Sequence, residues 1–131
     1  MTITYHSTAE EAALNGIVDL IDGSSGDSTG DFVVKSAGGT ILATMTFGAT
    51  AFGAATTSGG NAVVTSNTIT DSGTPTAGTI ASGAFRNKAN TEIVAFSMGT
   101  SSADMIIADT VITGSYTAVG CSGVTWTLAL A

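Results

Sequence analysis

Reactive side chains are scarce in this chain. His6 is the only histidine, Cys121 the only cysteine, and Lys35, Arg86 and Lys88 the only cations. Catalysis draws on clustered groups of tuned pKa, and metal binding on several His, Cys or carboxylate ligands held together. No P-loop, G-x-G-x-x-G, H-E-x-x-H or C-x-x-C is present. His6 has no Cys near it in sequence and reads as a surface or terminal-arm residue, with a site shared between neighbouring chains as the alternative. Cys121, between Gly120 and Ser122, reads as an inert small residue, with a reactive or intermolecular thiol as the alternative.

The carboxylates offer several partial patterns. Asp71, Glu92, Asp104 and Asp109 could supply the pair a glycosidase needs, yet their spacing selects no pair. Asp22, Asp27 and Asp31 flank a Gly/Ser-rich stretch that lacks the spacing of a calcium loop, and they read as a solvated acidic loop. Trp126 shares an apolar strand face, so a core role is favoured over sugar stacking. Lys35, given an Asn and a carboxylate, has the chemistry for an intramolecular isopeptide crosslink. Arg86 and Lys88 read as a hairpin tip with a weak cross-strand ion pair, or as a docking contact for an acidic partner. The expectation is a non-enzymatic protein with no cofactor and no metal.

The remaining composition points the same way. The chain has 23 Thr, 20 Ala, 17 Gly and 14 Ser among 131 residues, with a net charge of −7. Three cations cannot neutralise a nucleic-acid backbone. Positive mean hydropathy argues against general disorder, while the scarcity of large apolar residues predicts a thin, small-residue-rich core that neighbouring subunits help to complete. No basic-then-apolar leader opens the sequence and no apolar run reaches membrane-spanning length, so a soluble protein made in a cytoplasm is expected.

These residues must be positioned by strands and one helix. Residues 1–6 read as an N-terminal arm in which Ile3 and Tyr5 alternate with Thr2 and Thr4. Residues 7–131 read as a single β-rich domain with a helix over 8–22, capped by Ser7 or Thr8 with Glu10 or Glu11 completing a capping box. Ala13, Leu14, Ile17, Val18 and Ile21 fall on one helical face. Strands are predicted over 31–35, 40–47, 63–71, 79–87, 91–98, 103–108 and 124–130, with hairpin loops at 36–39 and 87–90. Ile41, Ala43, Met45 and Phe47 should share one face of the second strand, opposite Thr44 and Thr46, while Leu42 on the polar side hints at burial from both sides. The predicted architecture is mainly β: an antiparallel sandwich or barrel of about seven or eight strands with one N-terminal helix.

Four segments carry a family resemblance: A-A-L-N-G-I-V-D-L-I-D-G ending at Gly23, G-T-I-L-A-T-M-T-F-G-A-T-A-F-G-A-A from Gly39 to Ala55, G-T-I-A-S-G-A-F-R from Gly78 to Arg86, and G-T-S-S-A-D-M-I-I from Gly99 to Ile107. In length and segment order the chain resembles small virion proteins of tailed-phage structural gene clusters. The resemblance implies a capsid decoration, or cement, protein: a β-rich module on the outer surface of the head, a homo-oligomer with a trimer favoured, its partner the major capsid protein. A tail or head–tail accessory protein and a host-surface or glycan-binding adhesin are the alternatives. Ile3, Tyr5, Arg86 and Lys88 are the candidate partner contacts.

Overall fold

The computed structural model describes residues 1–22 and 29–128. Asp27 and the last residues of the final predicted strand lie outside them. In chain order the elements are α1 (Ser7–Asp22), β1 (Asp31–Lys35), β2 (Ile41–Phe47), β3 (Thr56–Ser58), β4 (Asn61–Thr65), β5 (Ile69–Thr70), β6 (Gly78–Thr79), β7 (Ser82–Arg86), β8 (Glu92–Gly99), β9 (Met105–Ile106), β10 (Val111–Ile112) and β11 (Thr125–Leu128). A six-stranded sheet runs β5-β2-β1-β7-β8-β9, a three-stranded sheet runs β11-β4-β3, and β10 pairs with β6. The fold is β-dominated with one helix, as the patterning predicts. The large sheet is mixed, because β9 joins β8 in parallel while its other pairings are antiparallel.

The helix begins differently from expectation. His6 is its N-cap: its carbonyl accepts from the N–H of Ala9 (2.8 Å) and Glu10 (3.2 Å), and its Nδ1 accepts from the Thr8 N–H (3.2 Å). The imidazole thus satisfies one of the free N–H groups of the first turn, the role predicted for a hydroxyl one or two residues later. Leu14, Val18 and Ile21 form the buried stripe, and Ala13 and Ile17 flank it half-buried.

Both predicted hairpins form, 36–39 joining β1 to β2 and 87–90 joining β7 to β8. Each uses a left-handed residue, Gly39 (φ 85°) and Asn90 (φ 63°), and Asn87 Oδ1 accepts from the N–H of Ala89 and Thr91 to close the second turn. The strand expected over 63–71 instead divides between sheets: Ser66 Oγ accepts the Val124 N–H and Asn67 Nδ2 donates to the Thr50 carbonyl, turning the chain from β4 to β5.

Two bulges decide which residues share a face. Val34 pairs with Ala43 but Lys35 pairs with Ile41, so Leu42 is the extra residue. Leu42 is buried at 4% exposure and Ile41 is turned out at 41%, the reverse of simple alternation. In the same way Phe85 pairs with Val94 and Arg86 with Glu92, leaving Ile93 over and bringing Glu92 beside Arg86.

The core is not thin. All five phenylalanines and the single tryptophan form one cluster around Phe85, whose ring lies 5.3 Å from Phe32, 5.6 Å from Phe47, 5.4 Å from Phe52, 4.8 Å from Phe96 and 6.3 Å from Trp126. Small residues make this concentration of rings fit. A Cβ at Gly83 would fall 2.7 Å from Phe96 Cε2 and 3.0 Å from Phe32 Cε2, so the missing side chain leaves room for both rings. The few large apolar residues are drawn from distant parts of the sequence into one place, where ring pairs add to the stability from buried area.

Candidate functional site

The outer face of the large sheet carries a charged ladder. Cross-strand register places Asp31, Arg86 and Glu92 side by side on β1, β7 and β8. Arg86 Nε and Nη2 each donate to Asp31, to Oδ1 and Oδ2, at 2.6 Å, a two-pronged geometry suited to a planar guanidinium. Side-chain exposures of 13% and 14% show that the pair lies largely out of solvent. The Asp31 hydrogen bond holds the Arg86 guanidinium above its ordinary value, against the opposing effect of burial. Lys35 pairs with Glu92 from the far side of the row formed by Val33 and Ala84. Val33 and Ala84, which pair on this outer face, are 0% exposed.

Several other acids are also engaged within the chain. Asp22 Oδ1 accepts the Ala51 N–H at 2.5 Å, tying the end of α1 to the segment before β3. Burial pushes the Asp22 carboxyl up, with Asp19 adding to the effect and the Ala51 N–H opposing it. Asp104 Oδ2 accepts from the Ser97 N–H and Oγ, both at 2.9 Å, and those hydrogen bonds hold its carboxyl below the usual range. Glu11 takes the Thr57 hydroxyl.

A cleft of about 500 Å³ opens between β8 and β11, lined by Phe85, Val94, Phe96, Met105, Val124 and Trp126, with Asp104, Thr125 and Thr127 also on its walls. Its size falls within the ~300–1,000 Å³ of ordinary ligand clefts. Trp126 is half-buried, packed edge-on to Phe52 at 6.4 Å, and forms part of this wall; it is not sealed in the core. A second hollow, of about 680 Å³, has Ser66, Asn67, Asp71 and Cys121 in its wall and no histidine. There the Cys121 thiol donates to the Gly123 carbonyl at 3.3 Å.

The four candidate contact residues are not brought together. Ile3 and Tyr5 stand 56% and 46% exposed in a segment that belongs to no element. Lys88 is exposed in the β7–β8 turn, whereas the neighbouring Arg86 is held by Asp31. Lys35, considered for an isopeptide crosslink, meets a carboxylate, and no Asn is hydrogen-bonded to it among the described residues. Asp22 and Asp31, two members of the acidic loop, have separate N–H and guanidinium partners. Among the described residues no group of three or more His, Cys, Asp and Glu is placed to hold a metal ion.

One further spacing bears on chemistry. Gly26-Asp27-Ser28-Thr29-Gly30 fits G-x-S-x-G, although residues 26–28 lie outside the described structure. A nucleophile elbow is a strand-to-helix turn. Here helix α1 precedes the segment and strand β1 follows it, the opposite order, and His6 is engaged as the helix cap. Sequence alone marks the β8–β11 cleft least well, since it depends on two segments about 30 residues apart. Its trace in the sequence is the apolar strand face on which Trp126 lies. No family model matches the chain, and no match is found among the curated proteins or the solved structures.

Proposed function

We propose that this chain is a virion structural protein that binds the outer surface of a phage capsid and braces it, as a decoration or cement protein does. The observation that carries the reading is the contrast between an internally braced body and an unpartnered arm. Asp22, Asp31, Lys35, Arg86, Glu92 and Asp104 fasten segments of this chain to one another, while Ile3 and Tyr5 project ahead of α1. Such a body resists deformation and offers a hydroxyl-rich surface to neighbours, and many weak contacts on a symmetric lattice add through avidity. The sequence resemblance of residues 12–23, 39–55, 78–86 and 99–107 to tailed-phage virion proteins supports the same role.

The test is addition of purified protein to empty heads. Saturable, stoichiometric binding that raises the temperature at which heads rupture is expected, and failure to co-sediment with heads overturns the reading. Mass spectrometry of separated heads and tails distinguishes a tail or head–tail accessory role. The half-buried Trp126 in an aromatic cleft favours a glycan-binding module as the second reading, which predicts a saturable change in tryptophan emission on adding host-surface glycans.

A further inference from the structure

Backbone geometry gives the β8–β11 cleft a more specific property than its aromatic lining. In β8 the Met98 N–H donates back to the Ala81 carbonyl on the β7 side, whereas the Ser97 N–H donates outward to Asp104. Backbone groups alternate in direction along a strand, so the N–H and C=O of Ala95 also point outward. β9 covers only Met98 and Gly99, and no strand among the described residues pairs with the edge from Glu92 to Ser97. Across the cleft, Ser66 and Val124 exchange bonds, Ser66 N–H to the Val124 carbonyl and Val124 N–H to Ser66 Oγ, both at 2.8 Å. That pairing turns the backbone groups of Trp126 and Leu128 toward β4 and those of Thr125 and Thr127 outward. Two open strand edges therefore flank one apolar cleft, the arrangement that accepts an added strand.

We propose that this cleft receives residues 2–5 of a second copy of the chain as an added β-strand. Thr2-Ile3-Thr4-Tyr5 has the period-two pattern that a strand with one apolar side requires, and its two large side chains are exposed in the structure. Charge also matches. The segment carries no charged side chain, and Asp104, the only charged side chain lining the cleft among the described residues, is exposed with its Oδ2 hydrogen-bonded by Ser97, so an uncharged strand meets no opposing charge there.

A chain's own arm is poorly placed to fill its own cleft. His6 is fixed as the helix cap, and α1 is tied to the β3 side by Glu11 to Thr57 and by Asn15 to the Ala55 N–H. β3 is the opposite edge of the small sheet from β11. α1 also lies along β4 and touches β8, so the shorter route to the added position runs from β4 past β11, two strand spacings or about 10 Å. Six extended residues reach about 20 Å, so about three would remain to pair, short of the four of residues 2–5. A neighbouring copy has no such detour.

This inference concerns association between copies and stands independently of the capsid reading, so its experiment contains no heads. Trp126 is the only tryptophan and lines the cleft, which makes its emission a direct reporter. Sedimentation equilibrium of the full chain, read together with Trp126 emission, should show concentration-dependent self-association with a shift to shorter wavelength. The Ile3→Asp/Tyr5→Asp variant, altered only outside the folded body, should lose both by about a hundredfold or more in affinity. Ala95→Pro removes an N–H that points away from β7, so it should abolish association with an unchanged far-UV spectrum. Mixing these two variants should restore the emission shift, since one supplies an intact cleft and the other an intact arm. A monomer at all concentrations overturns the proposal. So does a concentration-independent emission shift that disappears in the arm variant, which would signal capture of the chain's own arm, and so does undiminished association of Ala95→Pro.

Discussion

Replacing Gly30 by Ala tests how closely the end of α1 approaches the end of β7. Gly30 precedes β1, and its φ is not in the left-handed region, so the cost of a side chain there is one of space. The added Cβ would lie 2.6 Å from the Arg86 carbonyl oxygen, 2.9 Å from the Ile21 carbonyl oxygen and 3.1 Å from Ile21 Cγ2. Comfortable nonbonded separations begin near 3.5 Å. Both oxygens belong to backbone, one at the end of α1 and one at the end of β7, so neither can rotate aside. Overpacking costs about 1–3 kcal/mol and occasionally more; rigid neighbours on two sides place this site at ~2–4 kcal/mol. The lower entropy of the unfolded alanine chain offsets ~0.4–1 kcal/mol. The net loss of ~1–3.5 kcal/mol should lower the urea midpoint by about 0.5–2 M and the melting temperature by roughly 3–17 °C. Gly16→Ala is the matched control, because nothing lies within 4 Å of its added Cβ in the middle of α1. It should stabilise by ~0.5–1 kcal/mol. Equilibrium urea unfolding followed by circular dichroism measures both. A Gly30→Ala protein as stable as the parent, alongside a stabilised Gly16→Ala, would refute the argument that the close approach of α1 to β7 requires a glycine.

Other perturbations test the polar framework and the core. Arg86→Met keeps the stem but leaves Asp31 without its two-pronged partner in a largely buried setting, and should cost about 1–3 kcal/mol in chemical unfolding. Phe85→Ala removes the ring on which five others converge and should cost ~3–5 kcal/mol; a loss below 1 kcal/mol would show that the cluster collapses around the gap. Because burial raises the Asp22 carboxyl above its ordinary 3.8, its contribution to stability is fully present below that value and is lost as pH rises through the folded-state pKa. The difference in melting temperature between parent and Asp22→Asn should therefore shift in favour of the parent as pH falls from 7 toward 4. Asp104 has the opposite sign: its carboxyl is held down, so its contribution is present above the ordinary value and is lost only on further acidification, a loss that Asp104→Asn should not show.

Local structure was largely legible from residue order. The helix was readable because Leu14, Val18 and Ile21 recur at helical spacing, and the two hairpins because Gly39 and Asn87–Asn90 are suited to tight turns. The helix cap was misplaced because an imidazole can accept the N–H usually given to a hydroxyl. Ile41 departs from the face of Ala43, Met45 and Phe47 because a bulge depends on the partner strand, which β2 alone does not record, whereas the burial of Leu42 is hinted at by an apolar residue on the threonine side. The candidate site was legible only in its parts. Asp31, Lys35, Arg86 and Glu92 are spread over more than 60 positions and meet because β1 lies between β2 and β7 with β8 beyond.

The scarcity of reactive side chains, the alternation of strands and the position of the helix follow from the sequence by itself, because composition and short-range periodicity are local properties. Tertiary structure decided what those few residues do. It gathered every phenylalanine and the tryptophan around Phe85, turned the scattered charges into ties between strands, and left β8 and β11 with facing open edges. Each of these depends on strand register between distant segments, where a shift of one residue would send every side chain to the opposite face.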